Sequence, residues 1–170
     1  FGGDWFSQVG TDDSGGTKVF ALAGKVKHTG LVEVPLGTPL KDVVFDIGGG
    51  VLDDRELKAI QTGGPAGGFI PANRADMPVD FGPLAKAGSI MGSGGMIVLS
   101  DEDCMVDIAK FYLTFTQEES CGKCTPCREG TTRMLEILEK ITAGNGELSD
   151  LDRLERLGKL CQRTSLCGLG

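Results

Sequence analysis

Near residue 100 the apolar pattern of this chain changes its period, and that change constrains the fold more than any other feature. Upstream, Thr17 to Val26 (TKVFALAGKV) and Gly30 to Leu36 (GLVEVPL) are apolar or alternating runs of strand character. Lys27-His28-Thr29 separates them as a hairpin turn. Thr38-Pro39 then opens a short helical stretch, LKDVVFDI, with Thr38 placed to cap and Pro39 in the first turn. Met96 to Ser100 (MIVLS) reads as a closing strand. Downstream of Asp101-Glu102-Asp103 the period becomes helical. Met105, Ile108, Ala109, Tyr112 and Leu113 share one face of a first helix. Met134, Leu135, Leu138 and Ile141 do so on a second, ended by Gly144-Asn145-Gly146. Leu151, Leu154, Leu157 and Cys161 mark a third, with Ser149 as its expected cap. The expected fold class is α+β, with a sheet domain over 1–100 and a small helical domain over 101–170.

A helical domain of about 70 residues is marginal for a core of its own, and domains of that size often use a staple. Cysteines are the available staple. Cys121, Cys124 and Cys127 stand three apart in "ESCGKCTPCREG", and Cys104, Cys161 and Cys167 complete a set of six. Three cysteines at this spacing pair poorly with one another, and such spacing points to metal more than to disulfides. C-x₂-C-x₂-C with a distant fourth cysteine is a recurring way to hold a [4Fe–4S] cluster. Structural zinc favours two separated pairs, and the single histidine, His28, lies in the sheet half. Zinc and plain thiols remain as alternatives. For the fourth ligand, Cys161 continues an apolar helical stripe, where a thiol behaves as a small hydrophobe. Cys104 sits among acidic neighbours in DEDCMVD. Cys167, in the loop "TSLCGLG", is favoured. Lys123, Arg128 and the start of the helix after Pro126 would favour an anionic cluster, although both basic side chains also suit solvated surface.

Composition excludes several classes. With 40% hydrophobic and 24% charged residues the chain is globular. A net charge of −7 argues against nucleic acid as a partner. No apolar run approaches the ~20 residues of a membrane span, and the opening FGGDWFSQVG has no signal-peptide pattern, so a cytoplasmic location is expected. The 27 glycines concentrate in GGG (48–50), GGPAGG (63–68) and GSGG (92–95). They read either as turns at positive φ or as loops that approach a cofactor or another subunit closely. Neither GxGxxG nor GxxxxGK[ST] occurs. The sheet half carries no cysteine and no clustered acid–base set, and no catalytic residue is assigned.

"ESCGKCTPCREG" followed about forty residues later by "TSLCGLG" resembles the C-terminal iron–sulfur region of the flavoprotein subunit of NADH dehydrogenases, the 51-kDa-type subunit of respiratory complex I. Relatives of that family include the diaphorase subunits of NAD(P)-linked, often electron-bifurcating, hydrogenases and of formate dehydrogenases. The resemblance continues through "GTKVFALAGKV", "VEVPLGTPL", "GGPAGGFIP" and "MGSGGMIVL", which look like the family's soluble-ligand-binding β-grasp (ubiquitin-like) domain. It implies one [4Fe–4S] cluster on Cys121, Cys124, Cys127 and Cys167, with FMN and NAD(P)H in the complete subunit. Implied partners are the FMN/NADH-binding domain, a [2Fe–2S] thioredoxin-like subunit, and a larger iron–sulfur or hydrogenase subunit. The family's "GRGGAGFPTG"-like FMN loop does not occur in these residues. A fragment or a split subunit, without the FMN/NADH domain and truncated at the C-terminal end of its helical domain, is therefore expected. "SDEDCMVDIAKFYLTF" looks closer to the hydrogenase-linked relatives than to complex I. The implied function is single-electron relay. Alternatives are a binding module with structural zinc and a subunit of an ion-pumping ferredoxin:NAD oxidoreductase.

Overall fold

The computed structural model describes residues 1–170, the side chain of Ala66 excepted. Two units, Phe1–Glu102 and Asp103–Gly170, each make their own internal contacts.

In the first unit a short helix α1 (Gly3–Phe6) precedes strands β1 (Thr17–Gly24) and β2 (Gly30–Pro35). Helix α2 (Leu40–Asp42) runs directly into a π-type turn, Val43–Ile47. Strands β3 (Leu57–Thr62) and β4 (Gly68–Pro71), helix α3 (Phe81–Lys86) and strand β5 (Gly95–Ser100) follow. The five strands form one sheet in the order β2-β1-β5-β3-β4. β1 and β5 are parallel, with Ala21 opposite Gly95, and every other pair is antiparallel. A hairpin, a helical crossover and a central parallel pair make this a β-grasp sheet, the fold that the family resemblance implies.

Period-2 alternation places Phe20 and Leu22 of β1 on the inner face with Val34, Ile60, Ile70, Met96 and Val98. Leu40, Val43 and Val44 from the crossover cover them, and Val79 and Leu84 close the layer. Burying such side chains contributes roughly 1.5–3 kcal/mol each. Asp80 caps α3 by accepting the Phe81 N–H at 2.6 Å, and it also accepts the Thr11 hydroxyl at 2.8 Å.

Several local expectations change here. β1 ends at Gly24, six residues before β2, so the loop is longer than Lys27-His28-Thr29; Val26 instead bridges Val51. Thr38 does not cap α2. Its hydroxyl donates back to the Pro35 carbonyl at 2.8 Å, and Pro39 holds the cap position. The glycine loops are shaped by internal packing. A Cβ on Gly67 would lie 1.7 Å from the Thr62 carbonyl oxygen, where β3 turns into β4. Gly63 and Gly94 adopt φ of 86° and 105°, which disfavour any side chain.

The second unit is three helices: α4 (Met105–Glu118), α5 (Thr125–Lys140) and α6 (Leu148–Thr164). α5 packs against both of the others. A π-type turn, Ile141–Asn145, ends α5 with Gly144 at φ 81°. Glu147, not Ser149, caps α6; its side chain and that of Asp150 form a reciprocal capping box. Ser149 lies inside the first turn because Asp150, 1% exposed, takes the Glu147 N–H at 2.9 Å and the Lys140 ammonium at 2.8 Å. The Lys140 hydrogen bond, then the Glu147 N–H, holds the Asp150 carboxyl below the usual carboxylate range. No residue of α4 is fully buried, so the expected apolar face there is only half covered, and Ala109 is exposed. Among the described residues, the buried apolar side chains of this unit are Cys127, Ile137, Leu138 and Cys161. Two of the four are cysteines, which is too small a core for the unit to rely on hydrophobic burial alone.

Candidate iron–sulfur centre

The loop Glu119–Cys124 joins α4 to α5, and its shape follows from three local choices. Gly122 takes φ 69°, a left-handed conformation that turns the chain sharply. Arg128, one turn into α5, donates from its guanidinium to the Gly122 carbonyl and fixes that turn. Cys124 is the N-cap residue of α5 and Pro126 stands in the first turn, where a missing N–H costs nothing. Cys127 therefore sits in the first turn of α5, among backbone N–H groups that have no intrahelical acceptor. It is buried, while Cys121 is exposed and Cys124 intermediate. Lys123 is exposed, as solvated surface would be.

α6 delivers the other wall. At its end Ser165 is extended, with φ −69° and ψ 148°, and the chain turns back toward the loop. The Leu166 N–H reaches the Cys124 sulfur. Together with the Cys127 N–H it holds that thiol below the ordinary cysteine value, against the opposing effect of burial. Cys167, the next residue, is exposed beside this contact. Ser120 Oγ and Cys127 Sγ are 3.2 Å apart, and the same hydroxyl accepts the Gly122 N–H at 3.3 Å.

Cys161 has a different place. It is 1% exposed, donates its thiol hydrogen to the Pro126 carbonyl at 3.1 Å, and fills the space that a side chain at Gly130 would need. Burial, then the neighbouring Cys127 and Cys124, pushes its thiol pKa up. Cys104 precedes α4 as an exposed N-cap residue and makes no side-chain cap.

The structure thus brings the 165–167 segment to the cysteine loop through Cys124, with Cys161 packed behind. Among the described residues, no three His, Cys, Asp or Glu side chains converge closely enough to ligate one ion. The two segments meet where the Leu166 N–H reaches Cys124, while Cys121 and Cys167 are exposed. The site nevertheless fits a sulfur-ligated cluster. Its donor set is thiol-rich, main-chain N–H groups point at a sulfur, and the Ser165 hydroxyl is a buried polar atom without a hydrogen-bond partner of ordinary geometry. Ser120 and Ser165 are the residues that sequence reasoning passed over. Their closeness to "CGKC" and "LCGLG" was the only signal, and it did not show where their oxygens lie.

No helix is long and apolar enough to cross a membrane among the described residues. Residues 107–170 match the family model described as the NADH-ubiquinone oxidoreductase-F iron-sulfur binding region. The chain is 56% identical over 169 residues to the NADP-reducing hydrogenase subunit HndC of Solidesulfovibrio fructosivorans, covering 99% of this chain and 34% of that protein. It is 42% identical to an NADH-quinone oxidoreductase subunit of Rhizobium meliloti (strain 1021), covering 99% of this chain and 40% of that one. The crystal structure of an NAD+-reducing [NiFe]-hydrogenase in the H2-reduced state superposes with a TM-score of 0.84 at 34% identity. That match spans 97% of this chain and 28% of the hydrogenase chain. The chain thus spans between a quarter and two-fifths of the length of these relatives. Residues 107–170 are thus similar to the NADH-ubiquinone oxidoreductase-F iron–sulfur binding region.

Proposed function

We propose that this chain is the electron-relay segment of an NAD(P)H-linked oxidoreductase, in a hydrogenase-diaphorase or complex I-type assembly. Cys121, Cys124, Cys127 and Cys167 are the proposed ligands of one [4Fe–4S] cluster. The contact between the Leu166 N–H and the Cys124 sulfur carries this reading, because it joins the residue before Cys167 to one of the three clustered cysteines. When bound, such a cluster takes and gives electrons singly, where flavin chemistry handles a hydride as an electron pair.

The chain's residues position and shield. The first turn of α5 presents unpaired N–H groups that favour negative charge on the sulfurs. Arg128 locks the turn at Gly122, and the buried Cys127 and Cys161 keep water from the inner side. The exposed Cys121 and Cys167 leave the other side open to a partner. FMN and NAD(P)H belong, in this proposal, to another part of the complete subunit. The further partners are a [2Fe–2S] thioredoxin-like subunit and a larger iron–sulfur or hydrogenase subunit. Six free thiols suit a reducing compartment, the cytoplasm.

Iron and acid-labile sulfide quantification, with EPR of the dithionite-reduced protein, tests the reading. Cys167→Ser should lower cluster occupancy or alter the cluster. Cys161→Ser and Cys104→Ser should keep the iron. A normal signal in the Cys167 variant with loss in the Cys161 variant would reverse the ligand assignment, and colourless protein containing zinc would replace the relay with a structural metal site.

A further inference from the structure

Two hydroxyls approach the sulfur site from opposite chain segments, and neither is used by the ligand set. Ser120 lies in the loop ahead of Cys121. Its oxygen accepts the Gly122 N–H at 3.3 Å and lies 3.2 Å from Cys127 Sγ. Iron bound at that sulfur would fix the direction of the hydrogen bond. A sulfur bound to iron has no proton, so the O–H must donate, and the Gly122 N–H occupies an oxygen lone pair while leaving the hydroxyl hydrogen for sulfur. Ser165 lies after α6. Its oxygen is buried and makes no hydrogen bond of ordinary geometry. It is packed against Gly170, where a Cβ would lie 2.6 Å from Ser165 Oγ and 2.9 Å from Cys127 Sγ. Both atoms therefore border the same small space. A buried hydroxyl calls for an acceptor, and the group this one reaches is the Cys124 sulfur, though not at ordinary hydrogen-bond geometry. Sulfur is the acceptor chemistry within its reach.

Resting on the cluster reading above, we propose that Ser120 and Ser165 are positioning residues that donate hydrogen bonds to sulfurs of the bound [4Fe–4S] cluster and raise its reduction potential. One-electron reduction adds one negative charge to the site, and the hydroxyl protons stay on oxygen throughout. A donor bonded to sulfur stabilises the more negative, reduced form more than the oxidised form, so its removal lowers the potential. With a low potential the segment would hold back electrons from a flavin; the two hydroxyls set how readily it accepts them. The pairing also explains why one serine comes from each of the two segments that the ligands span: the potential is then tuned only when both segments are in place.

The test uses the cluster-loaded chain and its Ser120→Ala, Ser165→Ala and Ser165→Thr variants. Iron and sulfide are quantified first, and then midpoint potentials are read by EPR-monitored redox titration. Each Ala variant should retain its iron and show a lower potential. At the poise where the wild type is half reduced, its reduced-to-oxidised ratio should fall by about threefold or more, a tenfold fall corresponding to 59 mV for one electron. Ser165→Thr keeps the hydroxyl and should restore the wild-type value. The reduced wild type should also show an exchangeable proton coupling, by ENDOR, that weakens in D2O and in the Ala variants. Unchanged potentials with full iron content would overturn the proposal, as would loss of iron in the Ala variants, which would make the hydroxyls structural. A wild-type protein with no [4Fe–4S] signal would instead defeat the cluster reading itself, so the two failures are distinguishable.

Discussion

Among the glycines of the helical unit, Gly130 leaves the least room for a side chain because Cys161 lies against it, and the pair can be tested by a double-mutant cycle. An ideal Cβ on Gly130 would lie 2.3 Å from the Cys161 sulfur, and that sulfur is held by its hydrogen bond to the Pro126 carbonyl, one turn earlier on α5. Carbon and sulfur in van der Waals contact need more than an ångström beyond this, so Gly130→Ala must push α5 and α6 apart or drive the sulfur off its rotamer. Overpacking of this kind costs about 1–3 kcal/mol. The gain in helix propensity from Gly to Ala offsets about 1 kcal/mol of it. Cys161→Ala removes the buried sulfur and leaves a small void, at a cost of about 1–2 kcal/mol. In the double variant the new methyl group of residue 130 occupies the space that the sulfur left. The combined loss should therefore be smaller than the sum of the single losses, with a coupling of about 1–3 kcal/mol. For a unit of this size 1 kcal/mol moves the midpoint by roughly 4–8 °C. Denaturation followed by far-UV circular dichroism, which reports mainly on the helices, measures all four proteins, with iron content checked in each. Additive losses would refute the packing account. Loss of iron in Cys161→Ala would show that the sulfur is a ligand and not a filler.

The remaining predictions concern other sites. Gly67→Ala should cost about 1–3 kcal/mol, because its Cβ would meet the Thr62 carbonyl oxygen at 1.7 Å, and cluster content should be unchanged. Gly64 sits in open space at φ 72°, so Gly64→Ala should cost only the left-handed strain of about 1–2 kcal/mol; a larger loss at Gly64 than at Gly67 would contradict the steric reading. Asp150, whose folded pKa is lowered, binds more protons in the unfolded chain. Its contribution is thus complete above the ordinary carboxylate pKa of about 3.9 and is lost as pH falls from there through the lower folded value. Asp150→Asn should flatten that acid limb of the stability-against-pH curve and lower the midpoint at neutral pH; an unchanged acid limb would mean that the capping box adds nothing. Cys104→Ser should leave iron, potential and stability as they are, since the thiol is exposed and makes no cap.

The sequence by itself carried the change of period near residue 100, the strand and helix characters on either side, and the cysteine spacing. These are local properties, readable because a strand buries every second residue and a helix every third or fourth. It also carried a family resemblance strong enough to suggest the β-grasp sheet. Strand order was beyond local reading. Pairing β1 with β5 in parallel needs contacts between Ala21 and Gly95, residues far apart in sequence, and no periodicity encodes which distant strands meet. Cap assignments failed at Thr38 and Ser149 for a related reason. The Thr38 hydroxyl is taken by the Pro35 carbonyl, which leaves α2 without a side-chain cap, and at α6 Glu147 forms the capping box with Asp150, drawn inward by Lys140. The glycine loops offered turns or contact surfaces, and Gly67 is needed because the Thr62 carbonyl oxygen crowds it. Only the tertiary structure set Cys161 into the groove at Gly130 and brought Ser120 and Ser165 to the sulfurs. Ser165 and the cysteine loop, about forty residues apart, approach each other only when α5 and α6 pack, and that packing depends on the missing side chain at Gly130.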